Sequence, residues 1–310
     1  MTKKIIYRLL IVIILIVVTD KVVGHYLDGL YKKNRCDFSN GKLNVFLEED
    51  NVDTIIVGSS RVLHTIKPNI LGKGVKTLAF QHKHIYHNAV IIDLLKQEQK
   101  LPRKVLIFNI EMEDLYIQYE PRLLEQLYSL KYYYSKNGLA KELINRKGYQ
   151  ESLKFLSSVY RHNGEGWKLI AYPRTNLCSP VSETGYVPLI PNANDSARLS
   201  RSLIDDFKPY NFKKINPKVI ALLEGIINTC DEMNIDLIFI NAPYFKYHPE
   251  FIYASNYMKK FCREKNVRYV DFNEELITGL EQPEMWYDNM HLNDNGANIY
   301  TKYLKSKLTE

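Results

Sequence analysis

The chain has 310 residues, of which 45% are hydrophobic and 25% are charged. These are the proportions of an ordinary globular protein with a large core, and they exclude a chain dominated by disorder. The net charge of +7 comes from basic residues scattered among acids. No helix-turn-helix, RNA-binding or zinc-finger pattern accompanies it, so the common nucleic-acid-binding classes are also excluded.

The N-terminus carries an unbroken apolar run over residues 9–18, preceded by Lys3, Lys4 and Arg8. A helix over residues 4–23 would be about 20 residues long, near the length that spans the hydrocarbon layer of a bilayer. The basic residues come first, which places residue 1 in the cytoplasm and the rest outside. Because no small-residue cleavage site follows, a signal anchor is favoured over a cleaved signal peptide or a buried segment.

We therefore expect three parts along the chain: a transmembrane helix over 1–23, a tether over 24–50 and a folded domain over 51–310. The four cysteines Cys36, Cys178, Cys230 and Cys262 form no Cys-x-x-Cys pair, so a zinc site is not expected. An exported domain permits disulfides. Buried free thiols are the alternative for Cys230 and Cys262, and the sequence does not reveal the pairing.

From residue 54 onwards, short apolar runs alternate with helical patterns. The runs at 54–57, 75–79, 105–108, 237–240 and 267–270 predict strands buried on both faces. The patterns at 85–96, 217–233, 249–265 and 294–308 predict helices, with Asn293 as the N-cap of the last. This alternation predicts the α/β class, a parallel sheet with helices on both faces. The spacing breaks over about 120–216, where we expect a helical insertion between the third and fourth strands.

Three residues with the chemistry of a nucleophilic site follow predicted strands. Ser60 lies just after the first strand, in Gly58-Ser59-Ser60, while Asp288 and His291 lie after the fifth strand. Parallel strands bring their carboxyl ends to one edge of the sheet, so these residues are expected to meet there. An acid that orients an imidazole base beside a hydroxyl is the arrangement of acyl-transfer chemistry. The alternative is a serine that caps a helix and a histidine that packs against its own helix.

These motifs resemble those of the SGNH/GDSL hydrolase superfamily, in its membrane-anchored branch associated with bacterial envelope polysaccharides. Gly58-Ser59-Ser60 matches the family's Gly-Asp-Ser-like opening motif, and Asp288-Asn-Met-His291 matches its closing Asp-x-x-His. The resemblance covers about 51–119 and 217–308. It implies a flavodoxin-like, three-layer α/β/α sandwich with a five-stranded parallel sheet. It also implies Ser60 as nucleophile, His291 as base and Asp288 as its partner, with no cofactor and no metal.

The family's middle motifs, which supply the oxyanion hole, are altered. No glycine follows the second strand, so a backbone N–H of Ala79, Phe80 or Gln81 is the expected donor there. After the third strand, Asn109 is the expected side-chain donor, and Arg61 is a further candidate for completing the hole. Removing one such donor typically costs a factor of about 10²–10³ in rate.

Aromatic and imidazole groups near the expected edge are further candidates for the site. His82, His84 and His87 follow the second strand and are expected to contact substrate or to lie behind the site, with metal binding as the alternative. The segment 243–248 could line the cleft or form an ordinary loop. The run Tyr132 to Tyr134 is either a platform for a sugar or part of the core. Asp271 is expected to be structural.

These observations together predict a membrane-tethered serine esterase or O-acyltransferase outside the cytoplasm, at the bacterial inner membrane. Its expected partners are an acylated carbohydrate, with acetyl the expected acyl group, and the membrane, but no nucleic acid. The alternative is a catalytically inactive SGNH-like protein that binds polysaccharide or supports an envelope assembly complex.

Overall fold

The structure is a computed structural model that describes residues 2–37, 40–172, 175, 178–179, 181–206 and 214–309. Parts of the expected insertion, among them 207–213, lie outside the described residues. The strands are β1 (Thr54–Gly58), β2 (Val75–Ala79), β3 (Val105–Asn109), β4 (Asp236–Asn241) and β5 (Arg268–Asp271). The α-helices are α1 (Thr2–Lys33), α2 (Gly41–Glu48), α3 (Ser60–Thr65), α4 (Pro68–Leu71), α5 (Ile85–Gln97), α6 (Glu120–Gln126), α7 (Gly138–Asn145), α8 (Gln150–Lys154), α9 (Gly166–Ala171), α10 (Asp195–Asp206), α11 (Pro217–Glu232), α12 (Phe251–Glu264) and α13 (Asp294–Thr309).

Two compact units divide the chain between them. The helical unit comprises Met1–Glu48 and Leu127–Val181, and the sheet unit comprises Glu49–Gln126 and Ser182–Glu310. The helical unit contains α1, α2 and α7 to α9, with 3₁₀ turns at Leu127–Tyr133 and Val159–His162. The sheet unit contains all five strands, so the second half of the expected insertion, including α10, belongs to the unit that carries the sheet.

The sheet confirms the expected α/β class with a five-stranded parallel sheet. Its strands are all parallel and lie in the order β2-β1-β3-β4-β5, the order of flavodoxin-like doubly wound folds. Successive strand residues point to opposite faces. On one face, Ile56, Ile107 and Ile238 pack in a core cluster with residues of α3 and α13. On the other face, α5 contacts β1 and α11 contacts β4.

The predicted bounds of α5, α11, α12 and α13 agree with the observed ones to within two residues. Asn293 caps α13 as expected, because its side-chain oxygen accepts hydrogen bonds from the N–H groups of Asn295 and Gly296 at 3.1 and 3.2 Å. Such a cap satisfies donors that have no partner within the helix. The start of α13 is thereby held next to the loop that carries Asp288 and His291.

The N-terminal helix differs from the expected one. It continues ten residues beyond Val23, to Lys33, and its Asp20 accepts hydrogen bonds from Ser157 Oγ and from the N–H groups of Ser158 and Val159. From Asp20 onwards α1 thus packs within the helical unit. In the described ranges, no helix was found with the length and apolar character needed to cross a membrane.

The helical unit shows the role of the three consecutive tyrosines and one cysteine pairing, both of which the sequence left open. Tyr132, Tyr133 and Tyr134 are buried, and Tyr31 stacks on Tyr132 with ring centroids 3.9 Å apart. The three tyrosines are core residues, because a buried ring face cannot stack on a sugar. Cys36 and Cys178 form a disulfide. In the sheet unit, Cys230 and Cys262 are buried free thiols.

Candidate active site

The turn after β1 places Ser60 at the carboxyl edge of the sheet. A side chain at Gly58 would overlap Val62, so glycine lets α3 start close against the strand. Ser59 is the N-cap of α3, and its Oγ accepts a hydrogen bond from the N–H of Arg61 at 3.2 Å. Ser59 is buried, whereas Ser60, the first residue of α3, is partly exposed. Ser59 therefore stabilises the start of α3, while Ser60 is accessible at the edge of the sheet.

Ser60, His291 and Asp288 form one hydrogen-bonded chain, although Ser60 lies 231 positions from His291. Nε2 of His291 is 2.9 Å from Oγ of Ser60. Nδ1 of His291 is 2.9 Å from each carboxylate oxygen of Asp288. Because Nδ1 faces two acceptors, it carries the ring proton and leaves Nε2 free to accept the proton of Ser60. This is the arrangement that activates a serine nucleophile.

The carboxyl group of Asp288 is held in its ionised form. Burial would raise its pKa, but the hydrogen bond from the His291 ring and those from the N–H groups of Met290 and His291 lower it below the ordinary value. A charged Asp288 stabilises the imidazolium that forms when His291 takes a proton. The side chains of His291 and Asp288 are 18% and 21% exposed, so the pair is accessible from solvent.

Asn289 holds the loop that carries Asp288 and His291. Its backbone carbonyl accepts from the N–H of Phe245, and its side-chain oxygen accepts from the N–H of Lys246, both at 2.9 Å. Its own N–H donates to Ser202 Oγ of α10 at 2.9 Å. The segment 243–248 thus supports the loop, and Ser202 of the insertion supports it from α10.

His64 lies beside His291 and was not singled out from the sequence. Its Nδ1 is 2.7 Å from the carbonyl of Val187, its Nε2 is 2.8 Å from the amide nitrogen of Gln81, and its ring is 5.8 Å from that of His291. The carbonyl requires a proton on Nδ1, so Nε2 accepts from Gln81. The spacing of four residues from Ser60, which places both on one side of α3, could have indicated His64.

Arg61 lies in the interior behind the Ser60 turn. Its guanidinium is 1% exposed and pairs with the buried carboxylate of Glu111 at 2.5 Å. It also donates to the carbonyls of Ala242 and Pro243 and lies over the ring of Tyr244, 3.7 Å from the centroid. These contacts hold the guanidinium in the interior. Its role in the structure is to stabilise the Ser60 turn, and not the expected one of donating to an oxyanion.

Asn109 and Phe80 also have their donors engaged elsewhere. The amide nitrogen of Asn109 donates to Glu111 at 2.8 Å, and its oxygen accepts from the N–H of Ala242 at 2.9 Å. The N–H of Phe80 donates to the carbonyl of Gly58 at 3.4 Å, and the Phe80 ring packs on His87. The expected oxyanion roles of these two residues therefore do not fit their hydrogen bonds.

Two other donors remain at this edge. Gln81 is exposed, and its side chain lies next to His64. The N–H of Ser60 belongs to the first residue of α3, where helices have no internal acceptor, and it has no partner among the described residues. A backbone N–H on the nucleophile itself is a standard oxyanion donor. The sequence did not single out this group.

The chain after β3 carries three buried carboxyl groups, those of Glu111, Glu113 and Asp114. His84 pairs with Asp114 at 2.7 Å. Burial would lower the pKa of His84, but the Asp114 carboxylate raises it to about 9. Burial, together with the charges of Glu111 and Asp114, raises the pKa of Glu113 to about 7. The edge beside the Ser60 turn thus contains a charged histidine and a carboxyl group that titrates near neutrality.

The remaining candidates have structural contacts. Asp271 accepts hydrogen bonds from Asn241, Ser255 and Asn273, as a structural residue would. His87 is fully buried, and burial lowers its pKa well below the ordinary value. Within the part of the chain that the structure describes, no group of three or more side chains is arranged to hold a metal ion.

Comparisons with known proteins add a weak likeness to solved structures. No protein-family model and no curated protein sequence matches the chain. The chain is similar to a solved structure from Bacteroides fragilis described as a "putative acylhydrolase", with a TM-score of 0.44 and 8% identity over 88% of this chain and 97% of that one. A likeness at this level carries no argument, so the geometry of Ser60, His291 and Asp288 is what bears on function.

Proposed function

We propose that the protein is a serine ester hydrolase that works through an acyl-Ser60 intermediate. The observation that carries the proposal is the hydrogen-bonded chain from Ser60 Oγ through His291 to Asp288, with 2.9 Å at each link. A hydroxyl and an imidazole at this distance match the geometry required for proton transfer to a base. The accessibility of the pair is consistent with a substrate reaching it.

In this mechanism Ser60 Oγ attacks the carbonyl carbon of the ester while its proton passes to Nε2 of His291. The carbonyl oxygen becomes an oxyanion, which the N–H of Ser60 stabilises, and Asp288 stabilises the imidazolium. The intermediate collapses when the alcohol leaves with the proton from His291. Water then loses a proton to the same nitrogen and attacks the acyl-serine, which releases the acid and restores Ser60.

We assign the protein to the SGNH type on its own residues. The motifs around Ser60 and His291 resemble that superfamily, and the strand order β2-β1-β3-β4-β5 is the flavodoxin-like order that the resemblance implies. The substrate we propose is an acylated polysaccharide, with acetyl as the acyl group. Transfer to a sugar hydroxyl instead of water would make the protein an O-acyltransferase by the same steps.

For location, we propose the extracytoplasmic side of the bacterial inner membrane. The disulfide between Cys36 and Cys178 supports an oxidising compartment. Exposed apolar side chains over residues 9–18 of α1, with Lys3, Lys4 and Arg8 before them, support attachment to a membrane.

The hydrogen bonds of Asn109 favour a second candidate function. Its amide is committed to Glu111 and Ala242 rather than to a substrate, which leaves fewer donors for an oxyanion. A protein with the fold but little activity would bind polysaccharide or support an envelope assembly complex. The two candidates differ in whether Ser60 reacts.

A fluorophosphonate probe, followed by mass spectrometry of the labelled peptide, separates them. We expect the full chain to be labelled at Ser60, Ser60→Ala to lose the label and His291→Gln to react far more slowly. Ser152→Ala, which changes an exposed serine of the helical unit, is the matched control and should label normally. A folded wild-type chain that takes no label and cleaves no aryl acetate would favour the binding function and end the hydrolase proposal.

A further inference from the structure

The helical unit carries an exposed apolar surface, which we call the apolar patch: Val23, Tyr26, Leu153, Leu156, Trp167 and Ile170. One cavity of about 800 Å³ is lined by four of these residues, Val23, Tyr26, Trp167 and Ile170, together with Lys154. Trp167 is 60% exposed and Leu156 is 72% exposed. Large side chains so open to solvent are unusual in a group, and exposed apolar side chains gathered around one cavity mark an interaction site.

The charge of the chain is concentrated in the same unit. Without Lys3, Lys4 and Arg8, which the proposed topology places on the cytoplasmic side, the helical unit contains 14 lysines and arginines against 7 acids, a net charge of +7, whereas the sheet unit contains 25 against 28, a net charge of −3. Lys21 lies beside the patch, since its Nζ donates to the carbonyl of Leu156 at 2.8 Å. The unit that exposes apolar side chains is therefore also strongly basic, which suits an anionic surface.

The chemistry of the patch matches a bilayer surface. Tryptophan and tyrosine are favoured at the level of lipid headgroups, and lysines beside them contact phosphates. The patch also continues the exposed apolar run of α1, which ends about 8 Å before Val23 along the helix axis. One helix thus carries the apolar run and one wall of the cavity, so a single surface can contact both of them.

We propose that the apolar patch lies on a bilayer that contains anionic phospholipids. Trp167 and Tyr26 lie at the headgroup level, Leu153 and Leu156 reach the acyl chains, and the basic side chains of the unit contact headgroup phosphates. This deepens the membrane location proposed above by naming the surface and the lipid class. It does not depend on ester hydrolysis, so a chain that fails the fluorophosphonate test could still pass the test below.

Trp167 is a natural probe, because the only other tryptophan, Trp286, is 1% exposed and lies in the sheet unit. The full chain is mixed with vesicles of phosphatidylcholine, with or without phosphatidylglycerol, whose acyl chains are brominated. Subtracting the emission of Trp167→Phe from that of wild type gives the emission of Trp167 alone. In vesicles with phosphatidylglycerol we expect a blue shift and about a twofold loss of Trp167 emission, and a smaller loss at high salt.

The matched control moves the tryptophan to the other unit. Trp167→Phe combined with Leu276→Trp places it at a position that is 86% exposed, where brominated lipid should not quench it. If Trp167 remains unquenched while the chain co-sediments with the vesicles, the patch faces water or a protein and the proposal is overturned. Equal quenching with pure phosphatidylcholine would overturn the anionic selectivity.

Discussion

The most informative perturbation is Glu111→Gln, because Glu111 joins the Ser60 turn to the ends of two other strands, β3 and β4. Its carboxylate accepts from Ser59 Oγ, from Asn109 and from Arg61, which in turn donates to the carbonyl of Ala242. Glutamine keeps the size of the side chain but removes its charge. The guanidinium of Arg61 is then left buried without its main counter-charge.

The expected cost follows from these contacts. Breaking a buried ion pair typically costs about 3–5 kcal/mol of unfolding free energy. Glu113 reduces this cost, because the charge of Glu111 is one cause of its raised pKa of about 7. Without that charge Glu113 ionises more readily and partly compensates Arg61. We therefore expect a loss of about 3 kcal/mol at about pH 8, and a larger loss at about pH 5, where a smaller fraction of Glu113 is ionised.

The assay is urea unfolding of the full chain followed by near-UV circular dichroism at both pH values. Glu232→Gln is the matched control, because Glu232 pairs with Lys96 at the surface and is 63% exposed; such pairs contribute about 0–1 kcal/mol. We also expect Glu111→Gln to slow fluorophosphonate labelling of Ser60. A Glu111→Gln chain as stable as the control would refute the reasoning that this carboxylate holds the turn.

Three further predictions concern Asp288, Glu113 and the disulfide. Asp288→Asn should lower kcat on an aryl acetate by about 10⁴-fold with little change in KM, because His291 loses the tautomer that Asp288 holds. A loss below tenfold, or an equal loss in the control Asp294→Asn, would contradict the role of Asp288. In the folded protein the pKa of Glu113 is about 7, against an ordinary value of 4.5. Stability that is fully present below about pH 4.5 is therefore lost as the pH rises through 7. Melting temperatures measured over this pH range should show the loss in wild type and not in Glu113→Gln. If the variant shows the same decline as wild type, the carboxyl group is not the cause. Cys36→Ser should destabilise the helical unit by about 2–4 kcal/mol, as measured by limited proteolysis, and reduced wild type should behave in the same way; protection unchanged by either treatment would argue against the bond to Cys178.

The sequence was sufficient for the strands, the main helices of the sheet unit and the meeting of Ser60 with His291. Strand and helix patterns are local, so the runs near 54 and 105 could be recognised from their own residues. The meeting of distant residues followed from one topological rule, that parallel strands present their carboxyl ends at the same edge. Neither inference requires knowledge of individual side-chain contacts.

The tertiary structure alone decided which donors are engaged and which surfaces are open. Arg61 and Asn109 have the right chemistry for an oxyanion hole, yet both hydrogen-bond to Glu111 in the interior. The partner of Cys36, the place of His64 beside His291 and the burial of Tyr132 likewise depend on packing between segments far apart in sequence. A hydrogen-bonding group acts on whatever lies within about 3 Å of it, and that neighbour is set by how the elements pack, which the pattern of a single chain does not specify.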